Sequence, residues 1–293
     1  MPGSRRGRSF GRMTNHTKPT LIIGGTGKTG RRVAERLERR SIPTRIGSRS
    51  ADPPFDWEDR DTWAGALEGA RAAYISYYPD IAIPGAVEAV SALAATALEH
   101  DVRRLVLLSG RGEEEAQRAE RAVRESGADW TIVRCSWFSQ NFSEGFFAEA
   151  VAAGEVVLPV TSVPEPFVDV EDIADVAALA LAEDGHEGQV YELTGPRMLT
   201  FEQAVGEIAA ATGREISYVP VSLEEYEAGA REQGEPEEIV GFLTYLFGEV
   251  LDGRNAVLTD GVQRALGRAP RDFSEFVHEA AAAGVWNDPA TVG

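Results

Sequence analysis

The stretch Gly24-Gly25-Thr26-Gly27-Lys28-Thr29-Gly30 constrains this chain more than any other. It follows a short apolar run at 20–24 (TLIIG) and opens a segment, 30–39, in which Val33 and Leu37 fall at helical spacing. Glycines spaced G-x-x-G-x-x-G between a strand and a helix meet three needs. The chain turns sharply, the backbone approaches a pyrophosphate closely, and the helix packs tightly on the sheet with its positive N-terminus toward the phosphates. Side chains at Gly24, Gly27 or Gly30 would obstruct one of these. A P-loop is excluded, because Gly27-Lys28-Thr29 lacks the earlier glycine of G-x-x-x-x-G-K-[ST].

The rest of the first two-thirds alternates strand and helix. Strands are expected at 44–47, 55–57, 72–76 (AAYIS), 104–109 (RLVLLS), 130–134 (WTIVR) and 189–193. Helices are expected at 62–67, 84–98, 113–126 and 172–181. Buried apolar strands alternating with helices predict an α/β fold, a Rossmann-type doubly wound parallel sheet. Beyond about Pro159 the pattern changes. A helix at 201–212, a short strand at 216–219 and mostly helical sequence over 222–252, interrupted near 234–236, leave too few strands for a separate sheet. The expected organisation is a leader at 1–18, a Rossmann domain at 19–195, and a mostly helical cap at 196–293 over the sheet edge where ligands bind.

Charge and composition exclude several classes. The net charge of −18 repels phosphate backbones, so no direct nucleic-acid binding is expected. No run approaches the length of a membrane span, so no membrane anchor is expected. Arg5, Arg6, Arg8 and Arg12 sit among Gly and Ser in a leader without the apolar stretch of a secretory signal. It reads as a disordered tail, or as sequence upstream of a natural start at Met13. Cys135 is the only cysteine, which rules out an intrachain disulfide and fits a cytoplasmic setting. The four histidines are scattered without ligand spacing, so no metal is expected. No Gly-x-Ser-x-Gly elbow appears either.

The end of the second strand selects the cofactor. NAD-binding domains tend to place Asp or Glu there to bond the ribose hydroxyls. This chain has Gly47-Ser48-Arg49-Ser50 instead, and Arg49 can pair with a 2′-phosphate. NADP(H) is therefore expected.

GGTGKTG, the Arg49 loop, LVLLSGRG (105–112), SGADWTIVR (126–134), WFSQNF (137–142) and PFVDVEDIADVA (166–177) together resemble the NmrA-like branch of atypical short-chain dehydrogenases/reductases. The resemblance runs from Thr20 to about Pro220. Within that branch the chain is similar to bacterial relatives of the ergot-alkaloid reductases. The resemblance implies that Asp56 and Trp57 border adenine, that Ser76 and Tyr77 border the ribose and nicotinamide, and that Ser109, Gly110 and Arg111 lie near the nicotinamide. Cys135 stands beyond the sixth strand with Ser136, where the family more often has proline at the first position.

The usual Tyr-x-x-x-Lys dyad is absent: Lys18 and Lys28 are the only lysines, and neither follows a tyrosine by four. Two readings follow. In one, the protein is an NADPH-dependent reductase of a small organic substrate such as an iminium, aldehyde, enone or quinone. Tyr77, Tyr78 or Ser109 would then be the candidate proton donor. In the other, it binds NADP(H) without turnover and regulates a partner. An isomerase or dehydratase on the same scaffold is a third class. Phe138, Phe142, Phe146 and Phe147, with Phe242, Tyr245 and Phe247 of the cap, are candidates to wall a substrate slot or to form core. Gln140 and Asn141 are the polar groups expected to point into such a slot. Glu113-Glu114-Glu115 reads as a helix opening without a catalytic role, Glu120 as solvated, and Asp172 as structural. Monomer or homodimer is the default assembly.

Overall fold

The computed structural model describes residues 17–145, 147–160 and 162–287; the basic leader through residue 16 and Phe146 lie outside the described residues. The chain runs β1 (Thr20–Ile23), α1 (Lys28–Arg39), β2 (Thr44–Gly47), α2 (Asp61–Leu67), β3 (Ala72–Ile75), α3 (Ala86–Glu99), β4 (Arg104–Gly110), α4 (Glu114–Glu125) and β5 (Asp129–Cys135). It continues through α5 (Asn141–Glu144), α6 (Ala148–Ala153), β6 (Glu155–Leu158), α7 (Val170–Ala182), β7 (Gln189–Leu193), α8 (Phe201–Thr212) and β8 (Ser217–Pro220). The cap helices α9 (Leu223–Glu232), α10 (Glu237–Tyr245), α11 (Gly261–Leu266) and α12 (Phe273–Ala282) follow, with a π turn at Leu246–Val250 after α10.

Six strands form one sheet in the order β2-β1-β3-β4-β5-β7, and every pairing is parallel. β1 and β3 are buried along their whole length, as a sheet covered on both faces demands. One face packs Ile22, Tyr74, Val106 and Val133 against Val33 and Leu37 of α1 and Ile173, Ala177 and Leu181 of α7. The other packs Leu21, Ile23, Ile75 and Leu107 against Trp63 of α2, Leu93 of α3 and Val123 of α4. The expected doubly wound α/β fold is therefore present. Its switch point lies between β1 and β3, from which the chain winds outward in both directions.

Two expectations fail. Residues 55–57 are not a strand. Pro53 and Pro54 remove backbone donors just where an edge strand would begin. The segment forms a loop instead: Phe55 N donates to the Ser48 carbonyl (2.9 Å), and Trp63 Nε1 donates to the Asp56 carbonyl (2.6 Å). The second failure is a strand that was not expected, β6: among the described residues the C-terminal third has a single strand, too few for a sheet of its own, and takes its partner from earlier in the chain. β8 pairs in parallel with β6, which lies before α7. Neither strand exceeds four residues, too short for its alternation to stand out in the sequence.

Residues 142–145 and 147–160 contribute to a core shared with the cap. Phe142, Phe147, Val151 and Val156 share a core with Phe201, Ile208, Phe247, Phe273 and Trp286, and Trp286 Nε1 donates to the Phe142 carbonyl (2.8 Å). No helix among the described residues is long and apolar enough to cross a membrane. Among the described residues no group of three or more His, Cys, Asp or Glu could hold a metal ion.

Candidate functional site

The glycine loop sits at the switch point. Gly24 ends β1 with φ +72°, and a Cβ placed there would lie 3.1 Å from Ser76 Cβ at the end of β3. A Cβ on Gly30 would lie 2.2 Å from the Gly24 carbonyl oxygen, so α1 can close onto the loop only with glycine there. The α1 N-cap is Gly27, which brings no capping side chain, and the first turn holds no acidic residue. Thr26 and Gly27 are exposed. A helix end with open amides and a positive pole, beside a side-chain-free crevice, fits a pyrophosphate. Thr29 serves the loop from beneath, where the buried Tyr74 hydroxyl donates to its Oγ1 (3.0 Å).

Lys28 adds charge and a link to the cap. Its Nζ donates to Asn141 Oδ1 (2.8 Å). Burial lowers its pKa, Glu144 acts against this, and Arg31 and Arg32 add to the lowering. Arg31 and Arg32 both pair with Glu144, so α5 is tied to α1 by three side chains. Asn141 is thus placed between the glycine loop and the cap.

The adenosine side lies toward β2. Arg49 is exposed and has no ion-pair partner among the described residues. Ser48 Oγ and Ser50 Oγ are 3.4 Å apart beside it. Asp56 Oδ1 accepts from Glu58 N (3.1 Å), and the half-buried Trp57 packs on Tyr77 with ring centroids 4.7 Å apart. Trp57 thus ties the 55–57 loop to Tyr77 beyond the end of β3.

Tyr77 is half-buried, and burial with the nearby Glu58, Glu238 and Glu88 raises its pKa. Tyr78 is 75% exposed. Tyr245, from the cap, is half-buried close to Glu113 and the backbone of Glu114. Glu113 caps α4 only by position: its side chain makes no capping bond but folds over Gly110, where a Cβ would lie 2.4 Å from its Oε1. Burial, with the Asp80 charge adding, holds the Glu113 carboxyl well above the usual range. Burial pushes Asp80 up to about 6, against a hydrogen bond from Ala82 N.

Several expected site residues are turned elsewhere. Ser109 is buried and its Oγ donates to Glu120 Oε1 (2.7 Å). Arg111 is spent on Glu192 (2.7 Å) and on the carbonyls of Asn255 (3.0 Å) and Val257 (3.3 Å). The Cys135 thiol faces the core, reaches the Val133 carbonyl (3.7 Å), and is raised well above its ordinary pKa by burial. Gln140 uses both ends of its amide on α7: Nε2 donates to Asp169 Oδ1 (2.7 Å) and Oε1 accepts from Val170 N (2.9 Å). Phe142 is fully buried among Phe147, Phe167 and Phe273, and Phe138 packs against the sheet core. Of the remaining slot candidates, Asn141 is buried against Lys28 and Tyr245 is half-buried.

Sequence reasoning missed four carboxyls. Glu120 is 1% exposed and holds Arg134 through Nε (2.8 Å), not solvent. Its position with Ala116, Ala119 and Val123 on the buried face of α4 was readable from helical spacing. Asp80 and Glu113 carry no motif. Glu165 is fully buried with neither oxygen hydrogen-bonded.

A family model described as NAD(P)H-binding matches residues 24–184, more than half of the chain. An uncharacterised oxidoreductase, YesF, of Bacillus subtilis (strain 168) is 31% identical, over 92% of this chain and 96% of its own. The agroclavine dehydrogenase of Claviceps fusiformis is 28% identical, over 88% of this chain and 96% of its own. Among solved structures, the NADPH complex of the Escherichia coli quinone oxidoreductase QOR2 shares the fold, with a TM-score of 0.75 at 20% identity, covering 89% of this chain and 99% of that one. The glycine loop at the switch point lies at the start of the matched region. The chain belongs to the NAD(P)H-binding family.

Proposed function

We propose that this protein is an NADPH-dependent reductase of a small organic acceptor. The observation that carries this reading is the glycine loop at the sheet's switch point, where the open N-terminus of α1 stands beside backbone that leaves no room for side chains. From there the site would run toward the exposed Arg49 on one side and toward the end of β4 and Tyr245 of the cap on the other. The α1 amides and Lys28 hold the pyrophosphate, Ser48 and Arg49 take the 2′-phosphate, and Trp57 flanks the adenine half. When bound, the nicotinamide supplies a hydride. Asn141 and Tyr245 bound the space left for the acceptor. A cytoplasmic setting fits the single, buried Cys135.

Arg49 gives the test of cofactor choice. A charge-assisted bond to a phosphate contributes about 1.5–3 kcal/mol, so Arg49→Ala is expected to weaken NADPH binding roughly 10- to 100-fold and leave NADH binding within about twofold. Calorimetry with both nucleotides measures this. Equal NADPH affinity in the variant and the parent removes Arg49 from the site.

A further inference from the structure

Two of the three expected proton donors are poorly placed: Ser109 is buried on Glu120, and Tyr78 points into solvent. The third, Tyr77, packs its ring on Trp57 on the β2 side of the loop. Glu113 is the acidic group in the right place. The pyrophosphate position is fixed by α1 beside β1, and the adenosine half extends toward Arg49 and β2. The other half must extend the opposite way, over the ends of β3 and β4. Adjacent strands are about 4.8 Å apart, so the end of β4 lies roughly 10 Å from Gly24, within reach of the reacting ring. The Glu113 carboxyl lies over Gly110 at that strand end, in the space a side chain there would fill.

Resting on the reductase reading, we propose that Glu113, backed by Asp80, is the catalytic acid. The substrates are then neutral acceptors, such as quinones, enones or aldehydes, that must take a proton together with the hydride. The hydride adds to the electrophilic carbon, and the π electrons move to oxygen. The Glu113 carboxyl O–H bond breaks to protonate that oxygen, and water returns the proton to the carboxylate. A cationic iminium needs no such proton.

Two structural facts support this. Glu113 forgoes the capping bond that its position at the start of α4 offers, and its Oε2 is buried with no hydrogen-bond partner among the described residues. A carboxylate left so would be costly, whereas a carboxylic acid is not. Asp80, a positioning residue, works in the same direction: two nearby carboxyls cannot both ionise cheaply. The other charged or titratable groups nearby are Tyr245, Glu114 and Glu115, the latter two paired with Arg118, and Arg254, which donates to the Gly112 carbonyl (3.4 Å) while paired with Asp252.

The test uses the full chain. Infrared spectra of the cofactor-free protein near pH 7 are expected to show carboxylic-acid C=O absorption that loses the Glu113 component in Glu113→Gln, while the component from Glu165 remains. With NADPH, a benzoquinone and a cyclic iminium salt are compared across pH. In the parent, quinone kcat falls on the alkaline side. In Glu113→Gln that limb is lost, and the ratio of quinone to iminium turnover falls about 100-fold or more. In Asp80→Asn the limb moves to lower pH. An unchanged ratio and an unmoved limb in both variants overturn the acid while leaving the reductase standing, as does an unchanged infrared band. A parent that binds NADPH and reduces neither acceptor overturns the reductase reading and the acid together.

Discussion

Glu120→Ala is expected to destabilise the fold by about 4 kcal/mol, the range found when one partner of a buried ion pair is removed. The Glu120 carboxylate is 1% exposed. It accepts from Ser109 Oγ and from the Arg134 guanidinium, so it joins α4 to two neighbouring strands. Removing it leaves the serine without its acceptor and leaves Arg134, whose side chain is 21% exposed, with only Glu192 at 3.3 Å. In urea the unfolding midpoint should drop with the slope unchanged. A loss below about 1 kcal/mol would mean that water replaces the carboxylate and that the cluster is not closed.

Glu165 gives a smaller effect that depends on pH. It is fully buried near the β5 and β7 ends, with no hydrogen bond to either oxygen. Burial pushes its pKa up to about 7, and the Arg111 charge only partly opposes this. In the unfolded chain the same group ionises near 4.5. Between these values the folded state holds a proton that the unfolded state has released. Stability from this group is therefore complete below about pH 4.5 and lost as pH rises through about 7. The loss between pH 5 and pH 8 is about 2.5 kcal/mol. Glu165→Gln cannot ionise, so the parent should lose about 2.5 kcal/mol relative to the variant over that interval. The slopes from Asp80 and Glu113 are common to both proteins and cancel in the difference. Parallel stability profiles would show that Glu165 stays neutral or stays charged throughout.

What the sequence made legible follows from how local each signal is. The glycine loop needs only neighbours in the chain, and Gly24, Gly27 and Gly30 meet the demands that their spacing announces. The buried strands 72–76 and 104–109 read correctly because both faces are covered and, Arg104 at the edge apart, every residue is apolar or small. The segment 55–57 looked like a strand from its aromatics, but Phe55 and Trp57 gather around Trp63 after a Pro-Pro pair. The functional side chains were harder. Gln140 and Asn141 are adjacent and equally polar, yet one is consumed by the N-terminus of α7 and the other by Lys28, 113 positions away. Which way each turns depends on α7 and α1, and no local pattern encodes that. Glu113 looked like the first of three helix-opening acids. Only Gly110, with no side chain, and Asp80, from the preceding loop, make its setting different from that of Glu114.

The central claim, that the crevice reduces a small acceptor with NADPH, is tested most directly by following loss of the reduced-nicotinamide absorbance. The full-length protein is mixed with NADPH or NADH and with a quinone, an enone, an aldehyde and an iminium in turn. Turnover of at least one neutral acceptor is expected, with NADPH preferred about tenfold or more over NADH, in line with the role proposed for Arg49. Tight NADPH binding with no acceptor reduced would contradict it and assign the crevice to a sensor of the nucleotide instead.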